Sequence, residues 1–328
     1  MQPLLLWVLG LAIIFDFLAG VHGAGNVVST MISSRALRPS AALTLGAAAE
    51  FLGPFLFGTA VARTVGGQII RPDIITLEML IAALLAAIAW NGFTWFLGIP
   101  SSSSHGLFGG LIGAGLVGAG MRALQWSGLI KVGVGLFLSP LVGFGLGLLL
   151  LRLIYGLTAQ ATPRVNEFFR RGQLLTVAAL GLSHGANDAQ KAMGVIVLAL
   201  VLSGSLPGFE IPLWVVALCA GVMALGTALG GRRMIRTVGG RFYKVRPVHS
   251  FAAQSSSALV MVAASLLGWP VSTAHVVSSA IIGVGSAEGV NRVRWGLAGD
   301  ILAAWLWTIP ATAALSATLY WLLQRIQI

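Results

Sequence analysis

The chain has 328 residues, of which 57% are hydrophobic and only 9% are charged. A soluble domain carries about 25% charged residues, so this composition excludes a large soluble domain and predicts a membrane protein with several spans. The formal net charge of +11 is compatible with nucleic-acid binding, but the basic residues stand in short loops between apolar runs, as in membrane proteins. We therefore expect no nucleic-acid partner. The single Cys219 excludes an intramolecular disulfide.

Ten apolar segments are each near the length that crosses a lipid bilayer. In chain order they cover residues 3–22, 40–62, 74–98, 101–121, 128–156, 172–202, 211–231, 248–268, 271–289 and 295–323. The fourth and ninth are rich in glycine and small residues, so each could form a re-entrant hairpin. Basic residues concentrate in the loops after odd-numbered segments. This predicts that these loops are cytoplasmic and that both termini lie on the outer side of the cell membrane.

Polar and charged residues accompany the first two segments. Asp16, His22 and Asn26 stand in or just after the first segment, and Glu50 lies inside the second. A charged side chain in hydrocarbon costs at least about 2.5 kcal/mol, so it is retained where it faces a cavity or a partner. We predict that Asp16, His22 and Glu50 belong to a site for a cation or proton. The alternative for Glu50 is a pairing across helices.

The sixth segment contains His184-Gly185-Ala186-Asn187-Asp188-Ala189-Gln190-Lys191 between two apolar runs. The Gly-Ala pair suits a local break in the helix, and transporters build substrate and ion sites at broken helices. We predict that Asn187 and Asp188 bind substrate and that Asp188 and Lys191 belong to the cation site. The alternative is a structural ion pair between Asp188 and Lys191, three residues apart on one helical face.

A motif of proline, hydroxyl residues and histidine occurs twice. Residues 100–105 read Pro-Ser-Ser-Ser-Ser-His and residues 270–275 read Pro-Val-Ser-Thr-Ala-His, each at a similar distance after a polar stretch. We predict a membrane repeat at 1–156, a cytoplasmic linker at 157–171 and a second membrane repeat at 172–328. Five segments per repeat is an odd number, so the second repeat is inverted. The predicted fold is an all-α polytopic membrane protein with broken helices or re-entrant hairpins at the midplane.

The two motifs also predict an anion site. Serine caps helices, proline fits their first turn, and the unpaired N–H groups at a helix N-terminus attract anions. We expect two such ends to bind one oxyanion, with these side chains as substrate ligands beside Asn26: Ser101, Ser102, Ser103, Ser104, Ser272 and Thr273. The alternative is that they pack only as small residues. His105 and His275 either brace their hairpins or take part in proton coupling.

These motifs resemble the inorganic phosphate transporter family, the Pit type of cation–phosphate symporter, over nearly the whole chain. The resemblance is carried by the signature at 184–191, the segment 270–279, Phe15-Asp16-Phe17, Asn26, the segment 33–37 and the segment 100–105. It implies an inverted repeat, a central site for inorganic phosphate and a coupling proton or sodium ion, and a homodimer. It also implies a small helical cytoplasmic accessory protein as a partner. We expect neither a cofactor nor a resident metal ion.

The chain departs from the family pattern at three positions. Gly23 stands where the first-half signature has aspartate, Ala19 where it usually has asparagine, and Gln254 where glutamate is common. Loss of the carboxylate at position 23 weakens the case for a first-half sodium site. It leaves Asp188 as the intact signature carboxylate, so a proton is preferred over sodium as the coupling ion.

The predicted function is therefore secondary active transport of inorganic phosphate by cation symport, and not an enzymatic reaction. A sulfate or related oxyanion permease of the same fold is the first alternative, because a tetrahedral oxyanion site need not distinguish the two. A passive anion channel is the alternative from another class. An intramembrane serine hydrolase is disfavoured, since the polar residues form two symmetric sets rather than one catalytic triad.

Overall fold

The computed structural model describes residues 3–99, 101–230 and 245–326, with the side chain of Leu297 excepted. The described helices are α1 (Pro3–Ser33), α2 (Pro39–Phe57), α3 (Ala60–Gly67), α4 (Leu77–Leu97), α5 (Ser103–Ala119), α6 (Trp126–Leu157), α7 (Val165–Leu202), α8 (Leu213–Leu229), α9 (Pro247–Leu266), α10 (Thr273–Glu288) and α11 (Trp295–Ile326). Within these ranges no β-strand is formed. The predicted all-α fold is confirmed.

Seven of the described helices are long and apolar enough to cross a membrane. They are α1, α2, α4, α5 with the short 3₁₀ turn that follows it, α6, α7 and α11. α6 and α11 expose large apolar side chains such as Phe137, Leu141 and Trp307, as expected for helices that face lipid. The protein is thus a multi-pass membrane protein. Ten complete spans and the orientation of the termini stay predictions, and the basic residues at 231–244 lie outside the described ranges.

Three boundaries differ from the predicted ones. α1 continues to Ser33 because residues 20–26, although rich in glycine, remain helical and buried. The second predicted segment divides into α2 and α3 at Gly58, whose φ of 75° is left-handed and ends the first helix. α7 begins at Val165, so the non-helical connection between the halves covers 158–164 and is shorter than the predicted linker at 157–171.

The two halves of the chain have matching elements that exchange packing partners. In order and approximate length, α1, α2, α4, α5 and α6 correspond to α7, α8, α9, α10 and α11. α5 packs against α11 while α10 packs against α6, and α1 packs against α8 while α7 packs against α2. This exchange is what two repeats related by a two-fold axis would produce, and the repeat itself stays a prediction. Opposite orientation of the halves in the membrane stays a prediction from the odd number of segments.

The two copies of the motif, residues 101–104 and 270–273, are called the serine-rich segments, and each follows a glycine with a left-handed backbone. Gly98, after α4, has φ of 69°, and Gly268, after α9, has φ of 65°. Glycine adopts this conformation without the steric penalty of a Cβ atom. It therefore ends α4 and α9, which are the first helices of two helical hairpins, α4–α5 and α9–α10. The segments before α5 and α10 therefore leave their preceding helices at equivalent points, and this places the two copies of the motif face to face.

Glycines in α5 and α6 allow the hairpin helices to approach their neighbours closely. A Cβ atom at Gly113 of α5 would lie 2.0 Å from the carbonyl oxygen of Ala313 in α11. A Cβ atom at Gly147 of α6 would lie 2.5 Å from the carbonyl oxygen of Ala280 in α10. The glycine pairs at 109/113 and 143/147 thus serve helix packing, as small-residue motifs do in membranes.

We expect Gly147→Ala to lower the melting temperature of the detergent-solubilised protein, because α10 must shift to admit the methyl group. Overpacking of this kind costs about 1–3 kcal/mol. Gly145→Ala on the same helix is the matched control, since a Cβ atom there meets nothing within 4 Å. Equal melting temperatures for the two variants would contradict this account of the close approach.

Candidate functional site

The serine-rich segments cap the two hairpin helices. The Ser102 hydroxyl accepts a hydrogen bond from the His105 backbone N–H at 3.2 Å, and Ser272 accepts from the His275 N–H at a longer 3.5 Å. The predicted capping by serine is confirmed. Pro270 precedes α10 by three residues, so its predicted place in the first turn is wrong. Pro100 lies outside the described residues.

The N-termini of α5 and α10 converge on a small central cavity. It is lined by Ala19, His22, Gly23, Asn26, Ser101, Ser102, Ser103, Ser104, His184, Asp188, Ser272, Thr273 and Ala274. Its volume is about 10 Å³, close to the space that one water molecule occupies. His22 has Nδ1 at 3.0 Å from the carbonyl oxygen of Leu18, and its Nε2 has no hydrogen-bond partner among the described residues. The fold therefore brings together most of the predicted substrate ligands.

α1 and α7, the two helices that carry the polar signature residues, run unbroken past this cavity. α7 is helical from Val165 to Leu202, so the predicted break at Gly185-Ala186 is wrong. Gly185 instead allows α2 to come close: a Cβ atom there would lie 2.1 Å from the carbonyl oxygen of Glu50. The discontinuities next to the cavity are the two serine-rich segments, where the chain turns between paired helices.

Asp188 is the charged centre of the cavity wall. Its carboxylate accepts a hydrogen bond from the Thr273 hydroxyl at 2.6 Å and forms an ion pair with Lys191. Its Oδ2 also lies 2.8 Å from Nε2 of His184. The structural pair between Asp188 and Lys191 thus exists, as the alternative interpretation of the signature predicted. This ion pair is not the only contact of the carboxylate, which also contacts Thr273 of α10 and His184 of α7.

Lys191 joins the two hairpins. Its ammonium donates to the Ser104 hydroxyl at 2.5 Å and to the carbonyl oxygen of Val271 at 2.9 Å. Ser104 belongs to the first serine-rich segment and Val271 to the second, and their own hydrogen bond measures 3.2 Å. Lys191 does not line the cavity. Its contacts hold the cavity walls together from behind.

Asn187 positions the second hairpin and does not face the cavity. Its amide donates to the Trp269 carbonyl at 3.1 Å and to the Ser265 hydroxyl at 3.3 Å. Its oxygen accepts from the Val271 backbone N–H at 3.2 Å. Both ends of the amide are therefore occupied by the end of α9 and the segment before α10, so Asn187 makes a positioning contact, and its contact with substrate stays a prediction.

Two further carboxylates lie behind the cavity. Oε1 of Glu50 lies 2.8 Å from Nδ1 of His184, which confirms the pairing of Glu50 across helices. The other Glu50 oxygen and both oxygens of Asp16 are buried without a hydrogen-bond partner among the described residues. Sequence reasoning missed His184, although its position four residues before Asp188 was a signal, since such residues share a helix face.

His105 and His275 contact each other where the two hairpins meet. Their ring centroids are 4.3 Å apart, and His275 stacks on Trp305 of α11 at 3.7 Å. Nδ1 of His105 lies 2.8 Å from the Ser102 hydroxyl. These contacts fit the bracing interpretation. The pair also lines a larger cavity of about 610 Å³ between α6 and α11, whose other walls are almost entirely apolar and do not suit an anion.

Comparison with known proteins decides the family. The profile of the phosphate transporter family matches residues 19–316. The chain belongs to the phosphate transporter family. A "Probable low-affinity inorganic phosphate transporter" of Rhizobium meliloti is 45% identical, covering 97% of this chain and 96% of the relative, and one of Bacillus subtilis is 42% identical, covering 96% of each. A solved structure of "The sodium-dependent phosphate transporter" has a TM-score of 0.91 and 25% identity, covering 99% of this chain and all of its own.

Membership of the phosphate transporter family confirms the resemblance on which the sequence analysis relied. It also confirms that the protein is a multi-pass membrane transporter and not an enzyme, so the hydrolase alternative is excluded. The departures remain visible in the site. Gly23 lies on the cavity wall beside His184, while the Gln254 amide joins Thr30 of α1 and Thr176 of α7 through bonds of 3.0 and 2.5 Å.

Proposed function

We propose that this protein imports inorganic phosphate across the cytoplasmic membrane by symport with a cation, a proton or a sodium ion. The observation that carries the proposal is the convergence of two serine-capped helix N-termini, those of α5 and α10, on one cavity. Each terminus offers unpaired N–H groups and a positive dipole end to an oxyanion. The names of the relatives support phosphate as that anion.

Electrostatics supports a co-transported cation. Moving one charge against 100 mV costs about 2.3 kcal/mol, so a divalent phosphate alone would cost about 4.6 kcal/mol. Three buried carboxylates, those of Asp16, Glu50 and Asp188, lie in or behind the cavity wall with one lysine. Bound protons or cations would stabilise this excess of negative charge and supply the coupling.

Transport also requires the two hairpins to separate, because a cavity of about 10 Å³ is far too small for phosphate. The contacts that would have to change include those of Lys191, which bonds to Ser104 in one hairpin and to Val271 in the other. We propose that phosphate replaces some of these contacts, since its oxygens accept hydrogen bonds from the same ammonium.

Uptake of labelled phosphate into proteoliposomes tests the proposal, with proton and sodium gradients imposed separately. Accumulation above equilibrium with either gradient, little reduced by excess sulfate, is the expected result. Equilibration that never exceeds the outside concentration would indicate a passive channel. Suppression in proportion to the sulfate added, with equal uptake of labelled sulfate, would indicate a general oxyanion permease.

We expect Ser103→Ala to raise the KM for phosphate roughly 10- to 150-fold, because one lost hydrogen bond to a charged group corresponds to about 1.5–3 kcal/mol. Ser103 lines the cavity and is not the cap of α5, so the change should leave the melting temperature nearly unchanged. Ser316→Ala in α11 is the matched control, a buried hydroxyl away from the cavity. A wild-type KM in Ser103→Ala would assign this hydroxyl to packing alone.

A further inference from the structure

His184 lies between two carboxylates, one on each side of its ring. Nδ1 is 2.8 Å from Oε1 of Glu50 in α2, and Nε2 is 2.8 Å from Oδ2 of Asp188 in α7. All three side chains are buried, with relative exposures of 1% for His184, 1% for Glu50 and 6% for Asp188. Both distances are those of charge-assisted hydrogen bonds. The three groups therefore form one continuous chain, which ends at the cavity.

Proton counting shows what this chain must hold. A neutral imidazole has one N–H group, whereas each of the two contacts needs a proton between nitrogen and oxygen. The second proton is present if the ring is an imidazolium or if one carboxyl group is protonated. In either form the chain contains one proton more than a neutral ring between two carboxylates.

We propose that the chain Glu50–His184–Asp188 carries the coupling proton of phosphate symport. The inference rests on the proposed function and selects the proton over sodium. With the extra proton, the formal charges of the three groups and Lys191 sum to zero. Without it, they leave one negative charge next to the anion site, and this charge repels phosphate. Phosphate therefore binds together with the proton, and dissociation of either one lowers the affinity of the protein for the other.

The groups around the ring are consistent with a shared, exchangeable proton. α1 presents Asp16, whose two oxygens have no partner among the described residues, and His22, which lines the cavity. α2 presents Glu50, while α7 presents Asp188 and Lys191. Asp188 and His184 line the cavity whereas Glu50 does not, so the proton exchanges with the cavity through these two groups. Only N–H and O–H bonds are formed and broken.

Gly23 provides the room for the ring. A Cβ atom at position 23 would lie 2.2 Å from Cε1 and 2.7 Å from Nε2 of His184. The ring is held at both nitrogens, so it cannot move away without losing one of the two contacts. The position of the His184 ring in α7 therefore requires a residue without a side chain at position 23 of α1.

The first experiment uses the wild-type protein in weakly buffered detergent solution at pH 7. Binding of inorganic phosphate should be accompanied by proton uptake only in the fraction of molecules that lack the extra proton, beyond the change due to phosphate's own ionisation, and the affinity for phosphate should fall as the pH rises. In proteoliposomes with a pH-sensitive dye inside, phosphate uptake should acidify the interior without added sodium. Phosphate uptake driven by sodium with no proton movement would overturn the inference and leave the proposed function standing.

The second experiment measures protons moved per phosphate in His184→Gln. Glutamine retains hydrogen bonding but cannot carry the proton, so the ratio should fall from the wild-type value towards zero and accumulation under a pH gradient should be lost. His249→Gln in α9 is the matched control, because His249 does not belong to the Glu50–His184–Asp188 series, and it should keep the wild-type ratio. If His184→Gln does not fold, Glu50→Gln should show the same loss. A wild-type ratio in either folded variant would contradict the inference. Absence of phosphate transport in the wild type would instead refute the proposed function.

Discussion

Asp188→Asn is expected to abolish concentrative phosphate uptake, lowering the initial rate by at least about tenfold, equivalent to 1.4 kcal/mol. Asparagine can still accept the hydrogen bond from Thr273, so the shape of the cavity wall is kept. It removes the charge that pairs with Lys191 and contacts His184. Loss of one partner of a buried ion pair also destabilises a protein by about 3–5 kcal/mol, so the melting temperature should fall as well. Uptake in proteoliposomes and thermal unfolding in detergent measure the two effects.

A second variant separates the two effects of Asp188. Asp188→Asn combined with Lys191→Met removes both charges, and methionine retains much of the length of lysine. We expect this double variant to recover most of the melting temperature and none of the uptake. Recovery of uptake would mean that Asp188 serves only to neutralise Lys191, which is the structural interpretation of the signature. Wild-type uptake in the single variant would exclude Asp188 from transport altogether.

Gly23→Asp is expected to lower phosphate uptake by about tenfold or more, which is equivalent to at least 1.4 kcal/mol. On sequence alone, the new carboxylate would share a helix face with Asn26 and increase sodium dependence. The structure adds a steric conflict, because a Cβ atom at this position lies 2.2 Å from the His184 ring. The ring must leave Glu50 or Asp188, so the loss should be shared by Gly23→Ala, which has the Cβ atom without the charge.

Removal of the ring tests this explanation. Gly23→Asp combined with His184→Ser has room for the new side chain, and we expect uptake to return with a dependence on sodium. Initial rates measured against sodium concentration at fixed pH decide the point. Gly10→Ala on the same helix is the control, since a Cβ atom there meets nothing within 4 Å. Wild-type uptake in Gly23→Ala would show that the ring can move freely, and a flat sodium response in the double variant would place position 23 away from the cation.

The sequence by itself determined the helices and the chemistry of the motifs. Apolar runs long enough to cross a bilayer predicted some of the helices to within a few residues, for example 74–98 against the observed Leu77–Leu97, whereas α1 and α7 are longer than predicted. Capping depends on neighbours within one helical turn, so Ser102 and Ser272 could be assigned from local sequence alone. Repetition of the motif predicted that its two sets of hydroxyl residues would meet, and both sets line the central cavity.

Only the tertiary structure decided which polar groups face the cavity and which hold it together. Glu50 and His184 are 134 residues apart, and no sequence period relates them; their contact exists because Gly185 and Gly53 let α2 and α7 approach closely. The same close packing makes Gly185 part of a continuous helix, where local propensity predicted a break. Asn187 and Lys191 stand one and three residues from Asp188, yet helical geometry turns both towards the hairpins. Side-chain direction at a crowded crossing depends on the neighbouring helices, and the sequence of a single segment does not contain them.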